Sequence, residues 1–306
     1  MENNEDINFQ VDPKSIESKT GNYLVTVGNV GSGKSTLQSH LVFNLWSNEK
    51  IGVNWCNVDG NPNHDAVLNQ KVTDYKNGHL PIRTKAGILQ EFNLKISQAK
   101  RPTLKLSFLE IAGEDIKSIL PSKKNTQENP PKLNEDLEQY LKLPSINKRF
   151  IFVSDTSKNR LGARNNSTED RLGEDILFHT LISYLLNRKS GLGLNRVNIL
   201  FVAAKWDIVK NEYKSERTYF EEHFPNTREL VNRSDRITAS FMPFMVGDVT
   251  VSEKNGETIS MIKRLEKSYG DVLTSWVYHS FTQRTLIGLP KIKRNLWDKI
   301  KDLAAG

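Results

Sequence analysis

Apolar positions in this chain fall into short dense runs separated by polar stretches, and their spacing predicts the elements in turn. Residues 22–27 (NYLVTV) form an apolar-rich run ending at Gly28, which predicts a strand. A helix is predicted to follow from Lys34 to about Trp46. Residues 51–58 (IGVNWCNV) read as a second strand, and 64–76 as a short helix closed by Asn77-Gly78. Alternation at Phe92, Leu94 and Ile96 within 88–97, and at Leu104, Leu106 and Phe108 within 103–111, predicts a β-hairpin joined by QAKRP. Residues 149–154 (RFIFVS) and 198–204 (NILFVAA) are continuous apolar runs of the buried-strand type. Between them, Ile176, Leu177, Leu181, Ile182, Leu185 and Leu186 recur at helical spacing over 174–188. Val249 and Val251, then Asn255-Gly256, then Ile259 and Met261 predict a second hairpin over 248–262. Ile292, Leu296, Ile300 and Leu303 share one face of a helix predicted over about 291–304. Strands alternating with helices predict an α/β fold with a mainly parallel sheet and one antiparallel strand pair.

The polar segments refine this picture. Residues 1–20 read as a flexible arm, and 121–136, with three prolines, as a mobile loop. No apolar run reaches the roughly 18 residues expected of a membrane span. The acidic start MENNEDINFQ is unlike a signal peptide. One cysteine, Cys56, allows no internal disulfide and fits a reducing, cytoplasmic setting. The six histidines form no zinc-like cluster. The net charge of +7 is uneven: residues 1–20 carry −3 and residues 284–306 carry +4. The basic end offers contact with nucleic acid or an acidic surface, but a solvated helix face is the favoured reading.

The chemistry begins at Gly28, where residues 28–35 read G-N-V-G-S-G-K-S. This fits G-x-x-x-x-G-K-[ST], the phosphate loop, and it has the strand before and helix after that the motif requires. Gly28, Asn29, Val30, Gly31, Ser32, Gly33, Lys34, Ser35 and Thr36 are therefore the candidate phosphate-binding residues. The glycines let backbone N–H groups converge on phosphate oxygens, and the helix N-terminus favours anions. Lys34 supplies a charge for the β and γ phosphates, and Ser35 a hydroxyl for Mg²⁺. The strand at 103–111 runs into Glu110-Ile111-Ala112-Gly113, which has the shape of a D-x-x-G motif with Glu in place of Asp. Glu110 would then reach Mg²⁺ through water, and the Gly113 amide would meet the γ phosphate.

This order of motifs resembles the Ras-like, translation-factor-related (TRAFAC) class of P-loop GTPases. There, a switch threonine precedes a strand that pairs antiparallel with the strand ending in D-x-x-G. Gly78, Pro81 and Thr84 also fit the G-x-x-P-x-x-T arrangement of GTPase-like proteins of bacterial conflict (defence) systems. The resemblance implies that Thr84 coordinates Mg²⁺ when GTP is bound. It also implies a guanine loop after the strand 198–204, where the chain reads Ala204-Lys205-Trp206-Asp207. A carboxylate at Asp207 can accept hydrogen bonds from guanine N1–H and the 2-amino group, and the Lys205 stem can lie over the base. Ala204 departs from the Asn or Thr that braces this loop in the family. Phe244 to Gly247 marks the position of the loop under the base but lacks the usual Ser-Ala-Lys.

Glu114 stands where related enzymes place a water-orienting glutamine, and its charge near a γ phosphate needs compensation. Arg83 is a candidate for that role, although an ordinary surface arginine is the favoured reading. Asp155 and Arg160, after the strand at 149–154, remain unassigned loop residues. The expectation is a GTPase domain over 21–283 with inserted loops near 113–145, followed by a basic amphipathic helix in 284–306. Its ligands would be GTP or GDP with Mg²⁺, and its partner a protein effector at switch loops 77–87 and 113–145. The alternatives are a nucleotide-binding scaffold without turnover and a P-loop ATPase.

Overall fold

The computed structural model describes residues 12–56, 64–81, 89–111, 113–120, 133–158, 168–189, 191–254 and 257–291. In chain order the first half comprises β1 (Gly21–Gly28), α1 (Lys34–Trp46), β2 (Gly52–Trp55), α2 (His64–Lys76), β3 (Leu89–Ser97), β4 (Leu104–Ile111), α3 (Gly113–Lys117), α4 (Glu135–Lys142) and β5 (Ile146–Asp155). There follow α5 (Thr168–Leu186), β6 (Val197–Ala204), α6 (Glu216–His223), α7 (Pro225–Arg233), β7 (Ile237–Phe244), β8 (Gly247–Lys254), β9 (Glu257–Leu265) and α8 (Lys267–Thr282). Seven strands form one sheet in the order β2-β3-β4-β1-β5-β6-β7. The pairings among β4, β1, β5, β6 and β7 are parallel. Those of β3 with β4 and with β2 are antiparallel. The mainly parallel sheet with its antiparallel hairpin is as expected.

Period-two alternation distributes the strand side chains between two cores, one on each face. Tyr23, Val25, Val27, Phe150, Phe152, Ile199 and Phe201 face the core covered by α4 to α7. Leu24, Ile151, Val153, Leu200 and Val202 face the core covered by α1, α2 and α8. Burial on both faces explains why β5 and β6 read as continuous apolar runs.

The structure adds detail that the sequence pattern does not show. The arm predicted over 1–20 is docked from residue 12 onward. Residues Pro13–Ser18 form a 3₁₀ turn, Ile16 is 0% exposed, and Lys19 Nζ lies 3.2 Å from the buried Glu91 carboxylate. A single buried isoleucine in a polar stretch leaves no periodicity to read. Beyond the predicted boundary at 283, residues 284–291 stay against the domain. Leu286 is 1% exposed, and Ile287 exchanges hydrogen bonds with the Gln98 side chain at 2.7 and 3.0 Å. From residue 292 the predicted basic helix lies outside the described residues. α3, α4, α6, α7, β7 and α8 had no predicted counterpart. β7 is an edge strand with little burial, so its pattern is weak. α8 packs on α1, where Asn44 Nδ2 donates to Asp271 Oδ1 and Thr274 Oγ1, each at 3.1 Å.

The predicted hairpin at 248–262 is present as β8 and β9, a separate two-stranded sheet. Its root meets the segment after β7, where Glu266 N donates to Val246 O at 2.8 Å. Its body meets the segment after α2 through an antiparallel bridge between His79 and Met261. Among the described residues no helix is long and apolar enough to cross a membrane.

Candidate functional site

Parallel strands β1, β4, β5 and β6 bring their carboxyl ends to one end of the sheet, where open α/β sheets bind ligands. β1 ends at Gly28 and α1 begins at Lys34. Gly33 enters the helix at φ 95°, a left-handed conformation that glycine adopts without steric cost. No side-chain hydrogen bond caps this helix start, and a helix N-terminus favours anions. Lys34 is 7% exposed, and its Nζ donates to the carbonyls of Gly28 and Asn29 at 2.9 and 3.0 Å. The ammonium is thus held inside the loop. Ser32 Oγ and Asn29 Oδ1 are buried without a hydrogen-bond partner among the described residues. Orphaned polar atoms inside a glycine-rich loop fit a ligand that supplies the missing bonds.

Glu110, 3% exposed near the end of β4, accepts a hydrogen bond from Ser35 Oγ. A hydroxyl and a carboxylate in direct contact are hard oxygen donors suited to Mg²⁺, which takes its remaining ligands from water and phosphate. Among the described residues no group of three or more His, Cys, Asp or Glu could hold a metal without such help. Gly113 closes the floor of the loop. A Cβ there would lie 2.5 Å from Val30 N and 2.7 Å from the Asn29 carbonyl carbon. Only glycine permits that approach.

Arg83 and Thr84 lie outside the described residues, as does the side chain of Glu114, whose backbone opens α3. Gly78 and Pro81, which precede Thr84, are described, and Gly78 O accepts from Ile262 N at 2.8 Å. Lys34, Ser35, Glu110 and Gly113 are therefore brought together with the loop at 28–36.

The second cluster forms at the ends of β5 and β6. Lys205 leaves β6 at φ 59°, ψ 40°, and residues Trp206–Ile208 form a 3₁₀ turn. Trp206 is 7% exposed and meets Tyr219 edge to face at 6.2 Å. Asp207 is exposed. Asp155, far from being a loop residue, ends β5 opposite Ala204. Its Oδ2 lies 2.7 Å from Lys205 Nζ. Thr156 Oγ1 lies 2.8 Å from both the Ala204 and Lys205 carbonyl oxygens. Arg160 is outside the described residues.

Behind Asp155 sits Glu174 of α5. It accepts from Ser154 Oγ at 2.7 Å and Asp155 N at 3.4 Å, while Ser154 Oγ also meets Tyr219 Oη at 2.9 Å. Burial pushes the Glu174 carboxyl up to about 7, the Asp155 charge adding to this and the Ser154 hydroxyl, Lys158 and the Asp155 backbone N–H opposing it. Sequence reasoning missed Ser154, Thr156 and Glu174. Only the alignment of neighbouring strand ends would have exposed them.

A comparison with curated protein sequences finds no match. Among solved structures, the chain is similar to the signal recognition particle receptor SRb-GTP/SRX complex from Chaetomium thermophilum. That match has 13% identity and TM-score 0.41, covering 75% of this chain and 93% of that one. It is also similar to a putative nucleolar GTP-binding protein 1 from Plasmodium falciparum, at 10% identity and TM-score 0.36, covering 78% and 80%. The GTP-bound Ski7 GTPase-like domain of S. cerevisiae matches at 16% identity and TM-score 0.36, covering 77% of this chain and 45% of that one. Likenesses this distant carry no argument about chemistry. A family model does: Double-GTPase 1 matches residues 25–242. That span runs from β1, through the phosphate loop, Glu110 and the Lys205–Asp207 turn, into β7, and the chain belongs to the Double-GTPase 1 family.

Proposed function

We propose that the chain is a Mg²⁺-dependent GTP-binding protein that hydrolyses GTP slowly and signals its nucleotide state to a protein partner. The observation that carries this reading is the meeting of Lys34, Ser35 and Glu110 beside Gly28. It occurs at the same end of the sheet as Lys205 and Asp207. In this reading the backbone amides of Gly28 to Thr36 cradle the phosphates and Lys34 turns its ammonium from the loop carbonyls to the β and γ oxygens. Ser35, Glu110 and Thr84 hold Mg²⁺, whose chemistry when bound is to neutralise the phosphate oxygens. The Gly113 amide meets the γ phosphate and Glu114 orients the attacking water, with Arg83 the candidate to offset the carboxylate's charge. Asp207 reads guanine and the Lys205 stem covers the base. Segments 77–87 and 113–145 respond to the γ phosphate and contact the effector. A role in bacterial defence is supported by the sequence resemblance alone.

The test is the nucleotide that the protein retains through purification, followed by its turnover with Mg²⁺. Bound GDP, and GDP release from added GTP, is the expected result. Intact GTP with no turnover would instead support the scaffold reading, for which Glu110, Glu114 and Ala204 are the motivating departures. Bound ADP with preference for ATP would overturn the guanine assignment.

A further inference from the structure

The guanine-reading loop lacks the polar side chain that should brace it, yet its backbone is held. Residue 204 is alanine, 2% exposed, with its Cβ 3.7 Å from where a Cβ on Gly33 would stand. The base loop thus abuts the phosphate loop, and an alanine there supplies no hydrogen bond. Lys205 adopts φ 59°, uncommon for a residue with a side chain. Something must stabilise it.

We infer that Thr156, which opens the 3₁₀ turn just after the adjacent strand β5, is the positioning residue that braces this loop in place of residue 204. Thr156 is 0% exposed. Its hydroxyl hydrogen is shared between two carbonyl oxygens, those of Ala204 and Lys205, each at 2.8 Å. Its neighbour Asp155 fixes the Lys205 ammonium at 2.7 Å, and Asp155 Oδ1 itself accepts from Ser157 N at 3.1 Å. Trp206 anchors the far side in the core. Residues 204–206 are therefore held by backbone, ammonium and indole, while exposed Asp207 is carried by that frame. A carboxylate that accepts two parallel hydrogen bonds needs its orientation set within a few tenths of an ångström. Thr156 sets that orientation through the backbone and touches no nucleotide itself.

The inference rests on the guanine reading of Lys205 to Asp207, and its test separates the two. Affinities for GTP and ATP, with Mg²⁺, are measured for the wild type, Thr156→Val and Thr156→Ser, alongside the melting temperature of each. Valine keeps the shape and removes the hydroxyl. The expected result is a roughly tenfold fall in the GTP:ATP affinity ratio in Thr156→Val, carried by GTP, with ATP affinity unchanged, and recovery in Thr156→Ser. A merely structural role would lower the melting temperature and weaken both nucleotides together, leaving the ratio in place, and that outcome overturns the inference. Should Thr156→Val fail to fold, Thr156→Ala is read by the same ratio. A wild type without preference for GTP overturns both the guanine reading and this inference. A wild type that prefers GTP, with the ratio kept in the variant, overturns this inference alone.

Discussion

The two ends of the site are built in different ways. At the phosphate end, a nine-residue stretch from Gly28 to Thr36 supplies the loop, the lysine and the serine, and Glu110 and Gly113 complete it from β4 and α3. The contacts there are short-range in sequence or follow a known spacing: Lys34 reaches back to Gly28 and Asn29. At the base end, Asp207 stands on a turn whose supports come from several elements. Asp155, at the end of β5, and Thr156, opening the turn after it, lie about fifty residues earlier. Tyr219 lies beyond it on α6, and Glu174 backs Asp155 from α5. Under the proposed reading, binding at the phosphate end would be concentrated in a few groups, whereas the base end would spread its geometry over a network. A concentrated site fails abruptly when one group is lost, and a distributed one fails by degrees.

The largest effect should come from Lys34→Ala. The loop loses its fixed side-chain cation, and truncating one partner of a buried charge pair costs about 2–5 kcal/mol. Triphosphate affinity should drop accordingly, by calorimetry, with the circular dichroism spectrum intact. Unchanged affinity would remove the contrast by making the phosphate end as diffuse as the other.

Next is a pH effect located behind the base end. The Glu174 carboxyl sits at about 7 in the fold against an ordinary 4.5. A carboxyl raised on folding favours the folded state when protonated. Its contribution is whole below about pH 4.5 and is lost as pH rises through 7. Glu174→Gln keeps an acceptor for Ser154 and removes the charge. It should therefore gain about 3 kcal/mol of stability relative to wild type between pH 4.5 and pH 8, measured by urea unfolding. A difference that does not vary with pH would show that Glu174 ionises freely and that the network is wetter than its burial implies.

Asp207→Asn should cost about 1–3 kcal/mol in GTP binding and raise affinity for xanthosine triphosphate, because xanthine carries a carbonyl where guanine carries its amine. Competition of GTP, XTP and ATP reads this directly. If the GTP:XTP ratio does not move, the base end does not read guanine through this residue. The smallest effect is expected at Glu114. Glu114→Ala should slow GTP hydrolysis several-fold without altering GTP affinity, by single-turnover assay. Loss of affinity instead would place Glu114 in the binding set and enlarge the phosphate end.

Much of the scaffold was legible in the chain itself. β4 alternates from Leu104 to Phe108 because one face there is buried while Lys105 and Ser107 on the other are not; β3 alternates in residue type although Leu89 to Leu94 are all buried. β5 and β6 read as unbroken apolar runs because helices cover both their faces. The phosphate loop was legible because its geometry is local: glycine positions, a lysine and a serine occur at a fixed spacing. Lys205-Trp206-Asp207 was legible only through resemblance, since three residues after a strand carry no period. Ile16 and the edge strand β7 escaped, the first because one buried residue has no pattern and the second because little of it is buried. Asp155 falls just past the apolar run at 149–154, and strand ends blur where apolar side chains stop.

The sequence by itself determined the α/β class, the antiparallel strand pair, and the phosphate loop with Lys34 and Ser35. Each follows from periodicity or from a spacing within one turn of chain. Only the tertiary structure decided that Ser35 and Glu110 touch and that residues 12–20 are docked on Glu91. Only it placed Thr156 where residue 204 has no polar group. The reason is sheet order. β5 lies beside β6 because the parallel connection folds α5 over the sheet, and that adjacency brings together side chains about fifty residues apart. Such contacts depend on register between strands, which no local pattern encodes.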